Sequence, residues 1–509
     1  MFAAIADYGR LLRAGVSLAR HDVVLPNEYK SRMPAPALGV GKLLRLLTGG
    51  ARGRPGERLA KALESLGPAY IKLGQFIATR PDIFGVDTTQ DLSRLKDSLP
   101  PFSMDKARAA LREEFQPDKA DKLFPELGEP IAAASLAQVH QLKTDDGKWA
   151  VKILRPGVEQ QIRRELRAMK RAAGDVERTS AESRRMEPIA FVDTVAAAME
   201  KELDLTLEAG ATDEMRERTL DDGHFLVPSV DWERSGRRVL TTSWVDGTPM
   251  TDPDALHGVN NKPELANAVT RGFLTHAIYH GVFHADMHEG NMILTKDQRI
   301  ALVDFGIVGR IGLNERRFLA EILYGFLRRD YRRIAEVHFE AGYVPADRSV
   351  DDFAQALRSV GEPIHGKAAE DVSMGKLLLQ LFDITHIFGM HLRPELVLLQ
   401  KTMVQVEGVA RSIDPTHNIW KAAEPVVEKW IRTQLGPAGA AKLVRDNVRE
   451  VSDRLKRLPQ IMDAMEQAVA KVNAMPTEPP KRERFAPWWG WFALIGLIAV
   501  LIAGIIVEN

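Results

Sequence analysis

The order of three short polar fragments constrains the fold of this chain more than any other feature of its sequence. Lys152 lies in "AVKIL", Asp286 and Asn291 lie in "FHADMHEGN", and Asp304 lies in "LVDFG". Either "AVK" or "DFG" alone occurs often by chance, and a single carboxylate is more often a surface group or a helix cap. The three fragments in this order form a far more specific pattern, which points to one shared site.

These residue types match the requirements of phosphoryl transfer by a kinase-like site. A strand lysine holds the α- and β-phosphates of a nucleotide, and an aspartate accepts or orients the proton of the nucleophile. An asparagine five residues later binds a metal ion, and a second aspartate after a strand holds the metal that bridges the phosphates. The pattern therefore predicts ATP or ADP with Mg²⁺ as ligands, and Lys152, Asp286, Asn291 and Asp304 as the residues around them.

A second hypothesis applies to the fragment "HADMH". His284, Asp286 and His288 alternate as the ligands of a hydrolytic metal site would. The chain offers no further clear histidine pair, and its 13 histidines are mostly isolated. The nearby Asn291 and Asp304 favour the kinase-like interpretation.

The periodicity of the sequence predicts an α+β architecture. In "VHQLKTDDGKWAVKIL" two short strands flank Asp-Asp-Gly, which is a hairpin signal. A long helical stretch follows over 158–217, "RRVLTTSWVDG" reads as a strand, and "NMILTKDQRIALVDFG" contains two more. Helices dominate after about residue 312. We therefore expect a small lobe that contains strands, followed by a larger helical lobe.

Charge and cysteine content exclude several classes of partner and site. Lys plus Arg and Asp plus Glu both number 69, so the chain has no general attraction to nucleic acid. It contains no cysteine, which excludes disulfides, thiolate metal sites and cysteine nucleophiles. Its 509 residues, 45% of them hydrophobic, are enough for two or more regions with a core.

The C-terminal segment predicts a membrane anchor. Residues 488–507 form an uncharged run of 20 residues, which is long enough to cross the hydrocarbon core of a bilayer. Trp488 begins a tryptophan-rich end, and Lys481, Arg482 and Arg484 lie just before it, which predicts a cytoplasmic catalytic part. A helix buried in a protein core is the weaker alternative, because a charged, proline-rich linker precedes the run.

Two further helices follow from apolar spacing. The N-terminal "MFAAIADYGRLLRAGVSLARHD" predicts a short amphipathic helix, and we expect it to pack on the main domain rather than on a membrane surface. Apolar residues from Val444 to Val472 alternate in steps of four and three, which is a heptad pattern interrupted by Pro459. This second helix packs on its own domain or, alternatively, forms a homodimer.

The chain resembles the UbiB/ADCK family of atypical protein-kinase-like proteins. Four motifs carry the resemblance: "KLGQ", "AAAS" with "AQVH", "ELD" followed by "LEA", and "FHADMHEGN" with "DFG". They span about residues 70–310, and the later "LLQKTMVQVEGVARSIDP" is similar to the helical tail of the family. One departure lies at Met287 and Glu289, where the family usually has proline; it falls between the functional residues.

The resemblance implies a role for each matching residue. Lys152 would be the nucleotide-binding lysine and Glu208 its helix partner. Asp286 would be the catalytic aspartate, and Asn291 and Asp304 would hold Mg²⁺. His288 stands where ordinary kinases often carry a lysine that faces the γ-phosphate, so we expect weaker neutralisation of the transferred group at neutral pH.

An alanine-rich stretch takes the place of the glycine-rich loop that covers the phosphates in a kinase. Alanine resists the positive φ angles and the close backbone approach that glycine allows. We therefore expect a stiff loop that binds nucleotide but holds the γ-phosphate less productively. A helix-prone run is the alternative. The predicted nucleotide-binding residues of this stretch are Ile131, Ala132, Ala133, Ala134, Ser135, Leu136, Ala137, Gln138 and Val139.

Four polar residues are predicted to regulate access to the site. In the family, the helix that carries Lys72 and Gln75 packs over the active site near the motif of Glu202 and Asp204. We expect Lys72 and Gln75 to lie where a protein substrate docks in an ordinary kinase, and we expect an acidic partner for Lys72. On a continuous helix, Asp204 and Glu208 would share a face and Glu202 would point elsewhere.

The predicted organisation has six parts. They are an N-terminal helical segment (1–44), a helical extension with "KLGQ" (45–115), a kinase-like bilobal core (116–330), a helical C-terminal extension (331–475), a linker (476–487) and a transmembrane helix (488–507).

The family resemblance implies a Mg²⁺-dependent ATPase or kinase that supports ubiquinone biosynthesis. It would have restricted access for protein substrates and would act at the inner (cytoplasmic) membrane, with membrane lipid, polyprenylated quinone precursors and ubiquinone-biosynthesis proteins as partners. A nucleotide-switched, non-catalytic scaffold is the main alternative. A polyprenylphenol hydroxylase and a small-molecule phosphotransferase are less well supported, because the chain lacks a flavin-binding glycine motif and carries "KLGQ".

Overall fold

A computed structural model provides the structure of the protein. It describes residues 2–21, 23, 53–78, 86–92, 95, 99–179, 187–220, 223–365, 380, 384, 387–390 and 394–434. Among these residues, no helix is both long and apolar enough to cross a membrane. The predicted membrane span 488–507 and the heptad helix 444–472 lie outside the described residues.

The elements alternate between helices and short strands. The helices are α1 (Phe2–Arg20), α2 (Pro55–Leu66), α3 (Pro68–Ala78), α4 (Val86–Leu92), α5 (Met104–Phe115), α6 (Pro117–Leu123), α7 (Val158–Thr179), α8 (Pro188–Glu202), α9 (Leu205–Thr219), α10 (Lys262–Thr275), α11 (Leu313–Arg328), α12 (Tyr331–Glu340), α13 (Val350–His365), α14 (Pro394–Ile413) and α15 (Ile419–Gln434). The strands are β1 (Glu126–Ala133), β2 (Ala137–Thr144), β3 (Gly147–Leu154), β4 (Phe225–Leu226), β5 (Val239–Ser243), β6 (Gly247–Pro249), β7 (Val282–His284), β8 (Met292–Thr295), β9 (Ile300–Leu302) and β10 (Val308–Arg310).

The predicted hairpin forms the centre of an antiparallel sheet. Its strand order is β1-β2-β3-β5, and β2 and β3 pair without a shift from Ala137 opposite Leu154 to Thr144 opposite Gly147. The loop between them is the two-residue turn Asp145–Asp146, as the sequence predicts. The predicted strands near residue 240 and on both sides of residue 297 are also present, as β5, β8 and β9.

The two faces of this sheet pack against different helices. On β3, Val151 and Ile153 point to one side and belong to the core that α5 and α6 complete. Leu154 belongs to the other large core, together with α1, α2, α3, α7 and α8. Because neighbouring side chains of a strand point to opposite faces, Lys152 lies on the face away from Val151 and Ile153.

The N-terminal helices pack on the lobe that contains the sheet. In α1, Asp7 is completely buried and pairs with Arg167 at 3.1 Å and Arg171 at 3.3 Å on α7. Two charged partners are what a buried carboxylate requires. The prediction that this helix packs on the main domain is therefore confirmed. In α3, a Cβ added at Gly74 would approach side chains of Leu63 and Leu95 to within 2.4–2.7 Å, so glycine permits the close packing of α3.

The second lobe has the largest core. A sheet of order β4-β9-β8-β6 and the pair β7–β10 lie beside α10, and α14 and α15 pack on α10. Buried side chains of α14, among them Met403 and Val406, belong to the same core as Phe273 of α10 and Phe283 of β7. The predicted α+β architecture, with a sheet-containing lobe before a helical one, is confirmed.

Candidate active site

Lys152 connects three segments that are far apart in sequence. Its Nζ atom lies 2.8 and 2.9 Å from the two carboxylate oxygens of Glu208, and 3.1 Å from Oδ2 of Asp304. Burial alone would lower the pKa of Lys152, but the carboxylates of Asp304 and Glu208 raise it above its usual value. The lysine therefore stays protonated and can hold phosphate oxygens.

The break between α8 and α9 determines what the "ELD" motif does. Glu202 is the last residue of α8, and Asp204 is the N-cap of α9, where its carboxylate accepts a hydrogen bond from the backbone N–H of Thr206 at 3.1 Å. The prediction that Asp204 and Glu208 share one face of a continuous helix is therefore wrong. An aspartate at this position satisfies a free N–H at the start of the next helix, which favours the break.

Lys72 has the acidic partner that its position requires. Its Nζ lies 2.7 Å from Oε2 of Glu202, and the two side chains are only 15% and 27% exposed. Lys72 also lies close enough to Asp304 to influence its charge. Gln75 lies on the next turn of α3 and is half-buried. The helix that carries "KLGQ" thus brings a cation to the cleft, whereas Asp204 serves as a helix cap.

Asp286 follows β7, and both of its carboxylate oxygens are in contact with other side chains. Oδ1 lies 3.2 Å from Nζ of Lys401 and accepts a hydrogen bond from Nε2 of Gln405 at 3.0 Å, and Oδ2 lies 3.4 Å from Nε2 of His288. Burial alone would raise the pKa of Asp286, but these partners hold it well below its usual value. Asp286 is therefore ionised and orients donors more readily than it accepts a proton. In turn, the bond to Asp286 raises the pKa of His288.

His284 organises the loop and does not fit the hypothesis of a hydrolytic metal site. Its Nδ1 accepts a hydrogen bond from the backbone N–H of Asp286 at 3.1 Å, and its Nε2 donates to the carbonyl of Val303 at 3.1 Å. Burial lowers the pKa of His284, which agrees with this neutral tautomer. With both ring nitrogens occupied, His284 has no free nitrogen for a metal. In the described part of the chain, no cluster of three or more His, Asp or Glu side chains could hold a metal ion.

Asn291 and Asp304 provide oxygen atoms that fit Mg²⁺. The Nδ2 atom of Asn291 donates to the carbonyl of Asp286 at 3.1 Å, which leaves its Oδ1 as an acceptor. Burial alone would raise the pKa of Asp304, but Lys152 and, less strongly, Lys72 hold it below its usual value. An ionised carboxylate and an amide oxygen are the hard ligands that Mg²⁺ prefers, usually together with substrate phosphates. Asp304 has φ 61°, a left-handed conformation that Asp tolerates better than most residues.

The alanine-rich stretch is the turn of a hairpin, so the alternative of a helix-prone run is wrong. Residues 131–133 end β1, residues 134–136 form the turn, and residues 137–139 begin β2. The side chains of Leu136 and Ala137 are buried in the core shared with the N-terminal helices. In this part of the turn, the backbone is therefore the group that can approach a phosphate.

Arg155 and Gln138 fasten this turn to the segment before α5, a role that the sequence analysis did not predict. The guanidinium of Arg155 donates from Nε to the carbonyl of Ala134 at 2.9 Å and from Nη2 to that of Leu99 at 3.2 Å. It also lies over the ring of Phe102, 5.7 Å from the centroid. The side chain of Gln138 accepts from the backbone N–H of Phe102 at 2.8 Å and donates to its carbonyl at 3.2 Å.

The second feature that the sequence analysis missed is the contribution of α14. Lys401 and Gln405 lie one turn apart, so they share the face of the helix that contacts Asp286. Thr402, completely buried, has its hydroxyl 3.2 Å from the carbonyl of Ala285. The available signal was a lysine, a threonine and a glutamine within the mainly apolar run "LVLLQKTMVQVEGVA".

Comparisons with known proteins identify the family. Residues 94–338 match the ABC1 atypical kinase-like domain, and residues 357–418 match the UbiB helical domain. The chain is 36% identical over 440 residues to a probable protein kinase UbiB of Marinobacter nauticus, which covers 85% of this chain and 80% of that protein. The fold is also similar to that of Rv3197 from Mycobacterium tuberculosis, solved in complex with erythromycin, with a TM-score of 0.53 and 24% identity over 80% of this chain and all of that one. From these matches, the chain belongs to the UbiB family of atypical kinase-like proteins.

Proposed function

We propose that this protein binds ATP or ADP with Mg²⁺ and catalyses ATP hydrolysis or phosphoryl transfer. The observation that carries the proposal is the contact of Lys152 with both Glu208 and Asp304, 3.1 Å or less in each case. This ion-pair network needs the sheet, α9 and the segment after β9 to be in place together. Active kinases require the pair of strand lysine and helix glutamate, together with a metal-binding aspartate beside it.

Each residue then has a defined task. Lys152 would hold the α- and β-phosphates, and the backbone of the turn at residues 134–136 would cover them. Asn291 and Asp304 would hold Mg²⁺, which when bound neutralises charge on the phosphates. Asp286 would orient the nucleophile, and its low pKa favours orientation over strong base catalysis. Lys72 and Glu202 on α3 and α8 would restrict the approach of a protein substrate.

The direct test is ATP turnover by the purified full-length protein, compared with Asp304→Asn. We expect the variant to lose turnover by about 10²-fold or more, because the metal-binding carboxylate is gone. Asp297→Asn is the matched control, because Asp297 lies in the β8–β9 turn, away from the contacts of Lys152. Equal turnover by wild type and Asp304→Asn would contradict an enzymatic role for this site.

A nucleotide-switched scaffold is the second candidate, and one observation favours it. Both carboxylate oxygens of Asp286 are in contact with Lys401, Gln405 or His288, so the residue is poorly prepared to accept a proton. If nucleotide binds tightly but turnover does not depend on Asp304, the scaffold is the better description. Adding membranes that contain a prenylated phenol tests whether turnover requires the lipid environment.

We further propose that one C-terminal helix anchors the protein in the inner (cytoplasmic) membrane and that the protein supports ubiquinone biosynthesis. The uncharged run 488–507 with its flanking Lys and Arg residues supports the anchor, and membership of the UbiB family supports the pathway. Polyprenylated quinone precursors would be its clients. The full chain should sediment with membranes, whereas a chain ending at residue 475 should stay in the soluble fraction. Equal distribution of the two chains would contradict the anchor.

A further inference from the structure

The catalytic loop contains no lysine or arginine that could neutralise a transferred phosphoryl group. The segment from His284 to Asn291 contains neither Lys nor Arg, and His288 is the residue two positions after Asp286. The ammonium group of Lys152 is paired with Glu208 and Asp304 and makes no ion pair with Asp286 among the described residues. Phosphoryl transfer depends almost entirely on positioning and on neutralising charge around the γ-phosphate.

A lysine from a different part of the chain lies beside Asp286. Nζ of Lys401 on α14 is 3.2 Å from Oδ1 of Asp286, and 35% of its side chain is exposed to solvent. No other Lys or Arg makes an ion pair with Asp286 among the described residues. Lys401 comes from the segment that matches the UbiB helical domain, whereas Asp286 comes from the kinase-like segment.

The position of Lys401 is set by its neighbours on the helix. The hydroxyl of the next residue, Thr402, lies 2.8 Å from the carbonyl of Leu398 in the same helix and 3.2 Å from that of Ala285, and Gln405 donates to the carboxylate of Asp286 at 3.0 Å. Met403 and Val406, on the same turns of α14, are buried in the core of the second lobe. This turn of α14 therefore cannot move away from the catalytic loop without breaking both polar contacts and core packing.

We propose that Lys401 is a catalytic residue that contacts the γ-phosphate of bound ATP. The proposal rests on the proposed function. In the transfer step, the bond between the γ-phosphorus and the β–γ bridging oxygen breaks, and ADP leaves with its electron pair. A new bond forms between the γ-phosphorus and the oxygen of water or of an acceptor hydroxyl, which Asp286 orients and whose proton passes to solvent. Lys401 forms no covalent bond: it pairs with the γ-phosphate oxygens and so shares its charge between them and Asp286.

Two substitutions separate the charge of Lys401 from its packing. Lys401→Gln keeps a donor toward Asp286 but removes the charge, and Lys401→Arg keeps the charge. The control is Lys421→Met, an exposed lysine on the neighbouring helix α15. The measurements are the Kd values of ATP and ADP in the presence of Mg²⁺, the rate of ATP turnover and the melting temperature, all on the full chain.

We expect Lys401→Gln to weaken ATP binding by about 10-fold or more while ADP binding changes by less than about 3-fold, because only ATP carries the γ-phosphate. Turnover should fall by about 10²-fold. Lys401→Arg should retain most of the preference for ATP, and Lys421→Met should behave as wild type. If Lys401→Gln has a much lower melting temperature than the wild type, Lys401→Arg alone still shows whether the preference for ATP over ADP depends on the positive charge.

Several outcomes would overturn the proposal. Equal loss of ATP and ADP affinity in Lys401→Gln would show that Lys401 is a structural residue. Increased turnover in this variant would show that Lys401 inhibits Asp286. The proposed function fails separately, through turnover that does not depend on Asp304. In that case the ratio of ATP to ADP affinity still decides the role of Lys401, and absence of any nucleotide binding by the wild type would contradict both proposals.

Discussion

At the scale of single residues, the cleft is defined by a chain of alternating charges. Glu202 pairs with Lys72, Lys72 lies near Asp304, Asp304 pairs with Lys152, and Lys152 pairs with Glu208. In such a network, removing one member leaves a partly buried charge without its partner. The effect of each substitution therefore depends on whether its partner is still present.

The pair of Lys72 and Glu202 should show this dependence in a double-mutant cycle. Lys72→Met and Glu202→Gln should each destabilise the protein, and the double variant should recover part of the loss, with a coupling free energy of about 1 kcal/mol. Denaturant unfolding of the four proteins measures it. Lys201→Met, on an exposed neighbour in α8, should not couple to Glu202→Gln. Additive effects for Lys72 and Glu202 would argue that the ion pair is absent in solution.

At the scale of elements, side chains from outside the alanine-rich turn hold it in one position. The guanidinium of Arg155 donates to the carbonyls of Ala134 and Leu99, and so it ties the turn to the segment before α5. A glycine-rich loop adapts its backbone to a phosphate, whereas this turn is already positioned before a nucleotide binds. The position of the segment before α5 can therefore influence the turn that is proposed to cover the phosphates.

Arg155→Lys should loosen the turn without unfolding the lobe. One ammonium group cannot replace the planar fork that reaches both carbonyls, so we expect a loss of about 2 kcal/mol in the free energy of unfolding. The KM for ATP should rise by more than kcat falls, because the turn contributes to binding. Steady-state kinetics test this, with the exposed Arg237→Lys as the control. A fall in kcat at unchanged KM would contradict the assigned role.

The packing of α12 on α13 makes the second lobe sensitive to acid. His338 is buried, its Nδ1 donates to the carbonyl of Ile334 at 2.8 Å, and its ring packs on Phe353. Burial lowers the pKa of His338 to about 4. The unfolded chain, with a pKa near 6.5, takes up the proton first, so folded stability is lost as the pH falls from 6.5 toward 4. The contribution of this residue is at most about 3 kcal/mol.

His338→Phe should remove this part of the acid sensitivity, because Phe fills the aromatic site and does not titrate. The free energy of unfolding of the variant should change less than that of the wild type between pH 6.5 and 4. Urea unfolding at several pH values provides the measurement. His257→Gln, at a side chain that is 79% exposed, is the matched control. The same slope in wild type and His338→Phe would show that other groups control acid unfolding.

At the scale of the whole molecule, α14 contributes both to the core of the second lobe and to the candidate active site. The same helix buries Met403 and Val406 in the largest core and places Lys401 and Gln405 on Asp286. The candidate site therefore combines Asp286 from the kinase-like segment with Lys401 from the segment that matches the UbiB helical domain, more than a hundred residues away in sequence. Damage to the packing of α14 should lower both the stability of the lobe and the activity.

Val406→Ala tests this connection, with Val404→Ala as the control on the same helix. Val406 is completely buried and Val404 is 37% exposed. We expect Val406→Ala to cost about 2 kcal/mol through lost burial and a small cavity, and Val404→Ala to cost less than about 0.5 kcal/mol. Thermal unfolding and ATP turnover measure the two effects. Equal stability of the two variants would contradict the packing of α14 described above.

The sequence by itself determined the class of fold and the central hairpin, and it predicted Lys152, Asp286, Asn291 and Asp304 as residues of one site. Strand periodicity, turn residues and the spacing of polar residues are local properties, so they can be recognised without a structure. Only the tertiary structure decided that Asp204 caps a helix, that Arg155 fastens the alanine-rich turn and that Lys401 reaches Asp286. A cap depends on where one helix stops, and the other two contacts join segments that are distant in sequence. Such contacts follow from how whole elements pack, which no local pattern specifies.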